Sequence, residues 1–392
     1  MEWGSFSFDW LQRGRNFQAL LLEIEALKLA SEHTLLPRQV RTELDKLHRI
    51  RAVHGTTAIE GNSLSTAAVA EQLELLSAPE PAFRAQPTRE QRQVRNAGLA
   101  QDWVRLRFTS DQPPLRLEDI QHLHELVTTD SDERDNTPGR WREFQVTVGS
   151  PELGGVHRGA PPEMVPTLMR EFVDFLHARR TRAEHPALRA LLAHFFLVTI
   201  HPFGDGNGRV SRLVEAAILH EGGYNIHGFY GLSNYFYRNE SEYKRLLQRS
   251  RDEQPFDVGA FLEFGLRGFV AELKGINLFI QNKLNRLTYR NLVHRAGDLR
   301  VGKTRRLLNR REQALLEYLL DLSEPQDPFT ATRVLPLTEL LRDAFIREKY
   351  HEVTRRTLLR ELVRLEEVGF LHYEDPAGTA TVELNFHVIT RY

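Results

Sequence analysis

The chain has 392 residues, 41% hydrophobic and 27% charged, with a formal net charge of −1 at pH 7. This suits a folded protein of two or three domains and excludes disorder, a collagen-like fibre and a globally basic nucleic-acid or membrane binder. It contains no cysteine, so disulfides, thiolate zinc sites and cysteine nucleophiles are excluded.

The opening Met-Glu-Trp-Gly-Ser lacks a basic stretch leading into an apolar one, so no secretory signal is read there. The most apolar window, Leu191 to Ile200, includes His194 and is shorter than the roughly 20 residues that cross a bilayer. The expectation is a cytoplasmic protein with no membrane partner.

Residues 15–76 carry apolar positions at helical spacing (Leu20, Ile24, Leu27, then Val40, Leu44, Leu47), with Pro37 as a break. A loop rich in Pro and Ala follows from Ser77 to Thr88, then helices from Val94 to Phe108 and Leu117 to Thr128. Gln145 to Val148 and Val156 to Arg158, separated by Gly149, Pro151, Gly154 and Gly155, predict a β-hairpin inside a helical domain. Helices are expected again over 165–179, 187–200, 208–220 and 240–249, with one or two more across 258–296.

From about residue 310 the pattern changes. Helices are expected over Glu312 to Leu322, Leu337 to Arg347 and Val353 to Val368. Two strands, Phe370 to Tyr373 and Thr381 to Leu384, flank an Asp-Pro-Ala-Gly turn. Three helices and a strand pair make a winged-helix pattern. Leu358, Leu362 and Leu365 are expected to face its core, with Arg355, Arg356 and Arg360 outward near the helix start and Glu361, Glu366 and Glu367 partly cancelling their charge.

The chemistry concentrates in His201-Pro-Phe-Gly-Asp-Gly-Asn-Gly-Arg-Val-Ser-Arg212. Pro202 ends the apolar helix at His201. Gly204, Gly206 and Gly208 let the backbone approach a ligand closely. The free N–H groups of the next helix make a seat for phosphate. Arg209 and Arg212, at i and i+3, reach the same anion. Asp205 suits a Mg²⁺ ion bound to phosphate oxygens, and His201 can take a proton from an incoming hydroxyl. Phosphoryl or nucleotidyl transfer is the chemistry expected.

This segment resembles the Fic family signature, His-x-Phe-x-Asp/Glu-Gly-Asn-Gly-Arg-x-x-Arg, at every specified position. The approach to it (His185-Pro186, Arg189-Ala190, His194 to Ile200) and the stretch Gly139-Arg-Trp-Arg, Val146 to Val148, His157, Pro161-Pro162 also resemble the family. The likeness runs from about 10 to 270. It implies a mainly α fold, a Fic-type helical core with a β-hairpin flap, joined here to the winged helix. It implies AMP transfer from ATP to a protein hydroxyl, with release of pyrophosphate. His201 would be the base, Asp205 the Mg²⁺ ligand, Gly206, Asn207 and Gly208 the anion hole, and Arg209 and Arg212 the triphosphate ligands. Gly208-Arg209 is intact, which favours AMP transfer over phosphorylation.

Thr56-Thr-Ala-Ile-Glu60-Gly-Asn62 resembles the family's inhibitory motif. Alone, Glu60 reads as an ordinary helix-end carboxylate; beside this core the resemblance implies that it pairs with Arg212 and occupies the guanidinium the γ-phosphate needs. The flap 146–158 would pair with a target's backbone as an added strand. Ser233 to Asn239 resembles the family segment beside the nucleobase, with Tyr235 to stack on adenine and Asn239 to hydrogen-bond it; an aromatic cluster there reads equally as core, as does Tyr243.

Gly297 to Thr304 fits the phosphate-loop pattern but lacks the preceding strand, so a P-loop ATPase fails on context and a basic linker is expected. The expected division is 1–100, an N-terminal helical region with the inhibitory segment; 101–275, the catalytic core; 276–309, a helical linker; and 310–392, the winged helix. The sequence leaves a homodimer open, as it does DNA contact through residues 353–368. The alternative function is a DNA-binding regulator whose core senses nucleotide or modifies only itself.

Overall fold

A computed structural model of the chain describes residues 15–77, 86–109, 111–130, 135–153, 155–224, 231–252, 257–301, 305–325, 327–330, 333–351, 355–374 and 380–391. It divides into two compact units, residues 1–274 and 275–392.

The first unit begins with α1 (Gln18–His33), α2 (Arg38–Ala58) and α3 (Thr66–Ser77), then α4 (Arg89–Arg107) and α5 (Leu117–Thr128). Pro37 caps α2, where its missing N–H costs nothing. Thr88 starts α4 with a capping box: Thr88 Oγ1 accepts from Gln91 N at 3.2 Å and Gln91 Oε1 accepts from Thr88 N at 2.9 Å. Ile50, Val53, Val69, Leu73, Val94 and Ala97 pack α2, α3 and α4 into one cluster.

The hairpin pairs β1 (Thr147–Ser150) antiparallel with β2 (Gly155–Arg158) in the register Val148↔His157 and Ser150↔Gly155. Its first strand starts two residues later than expected because Gln145 and Val146 are spent at the root. Gly159 N donates to Val146 O at 3.1 Å and Gln145 Nε2 to Gly159 O at 2.8 Å.

Next come α6 (Val165–His177), α7 (Arg179–Arg182), α8 (Pro186–Ile200), α9 (Asn207–Glu221), α10 (Ser233–Arg238), α11 (Glu240–Asp252) and α12 (Gly259–Ala296). Every residue of α8 from Ala187 to Ile200 is buried, against α9 on one side and α6 on another. A helix apolar all round belongs at a domain centre. Among the described residues no helix is long and apolar enough to cross a membrane. The stretch 258–296 is one helix, and the unit boundary falls inside it.

In the second unit, β3 (Arg300–Val301) and β4 (Arg305–Arg306) form a short hairpin before α13 (Arg310–Leu322). The phosphate-loop-like segment therefore follows a helix and sits on a hairpin; Gly302, Lys303 and Thr304 lie outside the described residues. Then come β5 (Leu335–Pro336), α14 (Leu337–Leu340), α15 (Ala344–Lys349), α16 (Arg355–Glu367), β6 (Leu371–Glu374) and β7 (Thr381–Leu384), the three strands antiparallel in the order β5-β7-β6.

The expected single helix over 337–347 is broken in two, because the Asp343 carboxylate accepts from Phe345 N at 2.8 Å and starts a new helix. Leu358, Leu362 and Leu365 are buried in the unit's core, and Arg355, Arg356 and Arg360 are exposed. Glu361 differs from expectation. It is buried, and accepts from Arg311 Nε at 2.9 Å and Tyr350 O–H at 2.6 Å, so it neutralises nothing on the surface.

Candidate active site

An α-helix leaves its last carbonyls without partners and its C-terminal end partly negative. At the end of α8 each is filled from outside. His201 N donates to Leu197 O at 3.0 Å, and Val198 O accepts from His201 Nδ1 and Arg251 Nη2, each at 3.2 Å. Thr199 O accepts from His157 Nε2 at 2.8 Å, and Ile200 O from Ala160 N at 3.1 Å. Arg142 Nε then donates to His201 O at 2.7 Å, and its backbone N–H to Pro202 O at 3.0 Å.

This harness holds His201 in the left-handed region, φ 53° and ψ 62°, a cost of roughly 1–2 kcal/mol for a non-glycine residue. With Nδ1–H donated to a carbonyl, Nε2 keeps its lone pair. The ring is held down to about 4, first by burial and then by Arg251 and Arg142, against the Val198 hydrogen bond and Glu60. It is a neutral base throughout the physiological range.

The loop after His201 is set by Asn207. Its Oδ1 accepts from Phe203 N and its Nδ2 donates to Phe203 O, both at 2.9 Å. Phe203 stacks on His124 at 3.7 Å between centroids, and the His124 ring holds Asp205 O and Gly139 N at 3.1 and 3.0 Å. Gly206 turns the chain at φ 76° into α9. A Cβ on Gly208 would meet Glu60 Oε1, so glycine here leaves room for the Glu60 carboxylate against the helix start. What Asn207 offers a ligand is its backbone, since its amide is spent. Asn207→Ala strips both bonds from the buried Phe203 backbone and is expected to lower unfolding free energy by about 2–4 kcal/mol. Urea melts of the two proteins check this; coincident melts would refute the clamp.

Asp205 Oδ2 accepts from Arg209 Nη2 at 2.6 Å, and Arg209 Nη1 donates to Val127 O at 3.2 Å. Arg212, 2% exposed, is held from three sides: Nε to Thr56 Oγ1 at 2.8 Å, Nη2 to Thr56 O at 3.0 Å, and Nη2 to Glu60 Oε1 at 2.6 Å. Burial pushes the Glu60 carboxyl up, but Arg212 and Arg209 outweigh it and hold it below its ordinary value. Tyr243 O–H meets His194 Nε2 at 2.8 Å, and His194 Nδ1 meets Glu215 Oε2 at 2.8 Å. A carboxylate only accepts, so a neutral His194 donates Nδ1–H to Glu215 and accepts from Tyr243 at Nε2.

His201, Gly208, Arg212 and Glu60 share the wall of a cavity of about 340 Å³ with Val148, Gly149, Ser150 and Gly155 of the hairpin and Tyr243, Lys244, Leu247, Gln248 and Arg251 of α11.

Residues 114–230 match the model of the Fic/DOC family. That segment of the chain is thus similar to a Fic domain. It is similar to Protein adenylyltransferase Fic of Aedes aegypti, 28% identical over 210 residues that make up 54% of this chain and 39% of the relative. It is also similar to that of Culex quinquefasciatus, 30% identical over 196 residues, 50% and 36% of the two chains. The chain thus matches under two fifths of these curated relatives. A Fic family protein from Desulfovibrio desulfuricans G20 superposes with a TM-score of 0.52 at 20% identity, over 94% of this chain and 97% of that one. Fic-1 (residues 134–508) from C. elegans superposes at 0.51 and 24% identity, over 65% and 70%. These structural likenesses speak for the fold.

Within the matched segment, Gly206, Asn207, Gly208, Arg209 and Arg212 open α9 together, with Asp205 and His201 on the loop before it. Tyr235 and Asn239 are not among the residues that line this cavity. Tyr235 packs on Phe264 at 5.1 Å between centroids, and Asn239 Nδ2 donates to Tyr235 O at 2.9 Å. The wall on that side is α11, whose residues 243, 244, 247, 248 and 251 face one way at helical spacing. That stripe is readable in the sequence only once α11 is known to face the loop. One carboxylate, Asp205, with its side chain 34% exposed and one oxygen on Arg209, fits a Mg²⁺ ion completed by phosphate oxygens. Among the described residues no cluster of three metal-ligating side chains offers another way to hold one.

Proposed function

We propose that the chain is a self-inhibited protein adenylyltransferase, moving AMP from Mg-ATP to a hydroxyl of a target protein or of itself. The observation that carries this is the lone pair of His201 Nε2 in one cavity with the start of α9 and Arg212. The nucleotide lies with its phosphates over the N–H groups of Gly206, Asn207 and Gly208, and Arg209 and Arg212 bind the outer phosphates. A target hydroxyl, brought in by a strand laid along the hairpin, loses its proton to Nε2 as its oxygen bonds the α-phosphorus. The bond to pyrophosphate breaks and pyrophosphate leaves. Asp205 would hold Mg²⁺, which supplies neutralisation of phosphate charge.

Tyr243 shares the cavity wall with Arg212, and its hydroxyl bonds His194 rather than Nε2 of His201. Tyr243→Phe is therefore expected to raise KM for the nucleotide several-fold and leave kcat nearly unchanged. Steady-state rates at varied nucleotide give the split, and a fall confined to kcat would contradict it.

The deciding experiment incubates Glu60→Gly protein with Mg-ATP and cell lysate beside His201→Ala, followed by intact-mass and tandem mass spectrometry. A 5′-AMP adduct in the first and none in the second is the expected pattern; no adduct in either refutes the function.

The second reading is a DNA-binding regulator. It is favoured by the exposed Arg355, Arg356 and Arg360 at the start of α16, over a buried leucine face. Electrophoretic shifts of genomic fragments across salt concentrations test it, and a chain that shifts none of them at low salt excludes it.

A further inference from the structure

Arg251 stands outside the 201–212 segment, on α11, with its side chain buried in the cavity wall. Its Nη2 donates to Val198 O and its Nε to Thr199 Oγ1, both at 3.2 Å. Val198 O is also the acceptor of His201 Nδ1–H. A carbonyl has two lone pairs, and these two donors fill them. We propose that Arg251 is a positioning residue for His201: by holding the Val198 carbonyl it keeps the ring proton on Nδ1 and the lone pair on Nε2. This rests on reading His201 as the base.

The charge of Arg251 acts in the same sense. A helix C-terminus favours a protonated imidazole, the wrong state for a base. The groups facing the ring are Arg142 from the loop before the hairpin, His157 from β2, Glu60 from the turn after α2, Arg212 from α9, and Lys244 and Arg251 from α11. Glu60 favours the charged ring; Arg251 and Arg142 oppose it. Loss of Arg251 removes a cation and the clamp on the acceptor together, so the ring titrates higher and the tautomers mix.

The test is nitrogen-15 NMR on full-length protein labelled at histidine, with the His201 signal assigned by its absence from His201→Ala. In the wild type the ring is expected as the Nδ1–H tautomer, titrating far below the ordinary histidine range. In Arg251→Gln the midpoint is expected to rise by about one pH unit with loss of the single tautomer, and Arg251→Lys is expected to restore the midpoint but not the tautomer. An unchanged ring in Arg251→Gln overturns the proposal. If Arg251→Gln does not fold, Arg251→Lys decides alone: a single Nδ1–H tautomer there overturns it. Because the ring is read without turnover, failure here leaves the transferase reading standing, and absence of an adduct from Glu60→Gly leaves this result standing.

Discussion

Glu60→Gly is expected to raise AMP incorporation about 10- to 100-fold over the wild type. The carboxylate lies 2.6 Å from Arg212 Nη2, beside Gly208 at the start of α9, where the proposed reaction places an outer phosphate. A charge-assisted hydrogen bond of this kind contributes roughly 1.5–3 kcal/mol, which sets the factor. Removing Glu60 leaves Arg212 held by Thr56 Oγ1 and O, so the guanidinium stays aimed and gains a free N–H. Incorporation of labelled AMP at equal protein concentration measures the gain. Equal rates in the two proteins would sink the idea of a built-in brake. The double variant with Arg212→Ala is expected to fall back below wild type, because the released group is the one the nucleotide uses.

His201→Asn is expected to cut transfer by about 10²- to 10⁴-fold, the usual worth of a positioned general base. Asparagine is the better replacement because it tolerates the left-handed backbone that His201 adopts at φ 53°, so folding and chemistry are separated. Residual activity above a tenth of wild type would remove His201 from the mechanism. The pH profile follows from the ring held at about 4: transfer stays flat through neutral pH and is lost on its acid limb only near pH 4. Stability has the same sign. His124, His157 and His201 are held at about 4, 3 and 4, each by burial first, below the ~6.5 of an unfolded chain. Their contribution is complete above pH 6.5 and drains away as pH falls towards 4, which thermal melts across that range would follow.

The path from sequence to site was legible wherever local chemistry decides structure. Pro37, Pro186 and Pro202 mark ends of helices, Gly206 marks the start of α9, and strand-like residues around Gly149, Pro151, Gly154 and Gly155 mark the hairpin. Glu60 against Arg212 spans 152 residues of sequence; it entered through family likeness, since no spacing rule joins a helix-end glutamate to a distant arginine. The stripe on α11 stayed hidden for the same physical reason. Tyr243 reads as a packing residue in the sequence, and nothing there marks Lys244 or Arg251 until tertiary packing turns that face to the loop. Tyr235 and Asn239 are of the right residue types, but they lie on and just after α10 and are not among the residues lining the cavity. Glu361 looked solvated and is buried because Arg311 and Tyr350 arrive from elsewhere in the chain.

The hairpin root and the end of α8 share one set of hydrogen bonds through Arg142, His157 and Ala160. In the proposed transferase, a target strand docked on the hairpin is therefore mechanically coupled to His201. A foreign hairpin grafted to redirect the protein to a new target would drag the imidazole with it unless those three anchors travel unchanged, which leaves the outward edge of β1 as the portion open to redesign.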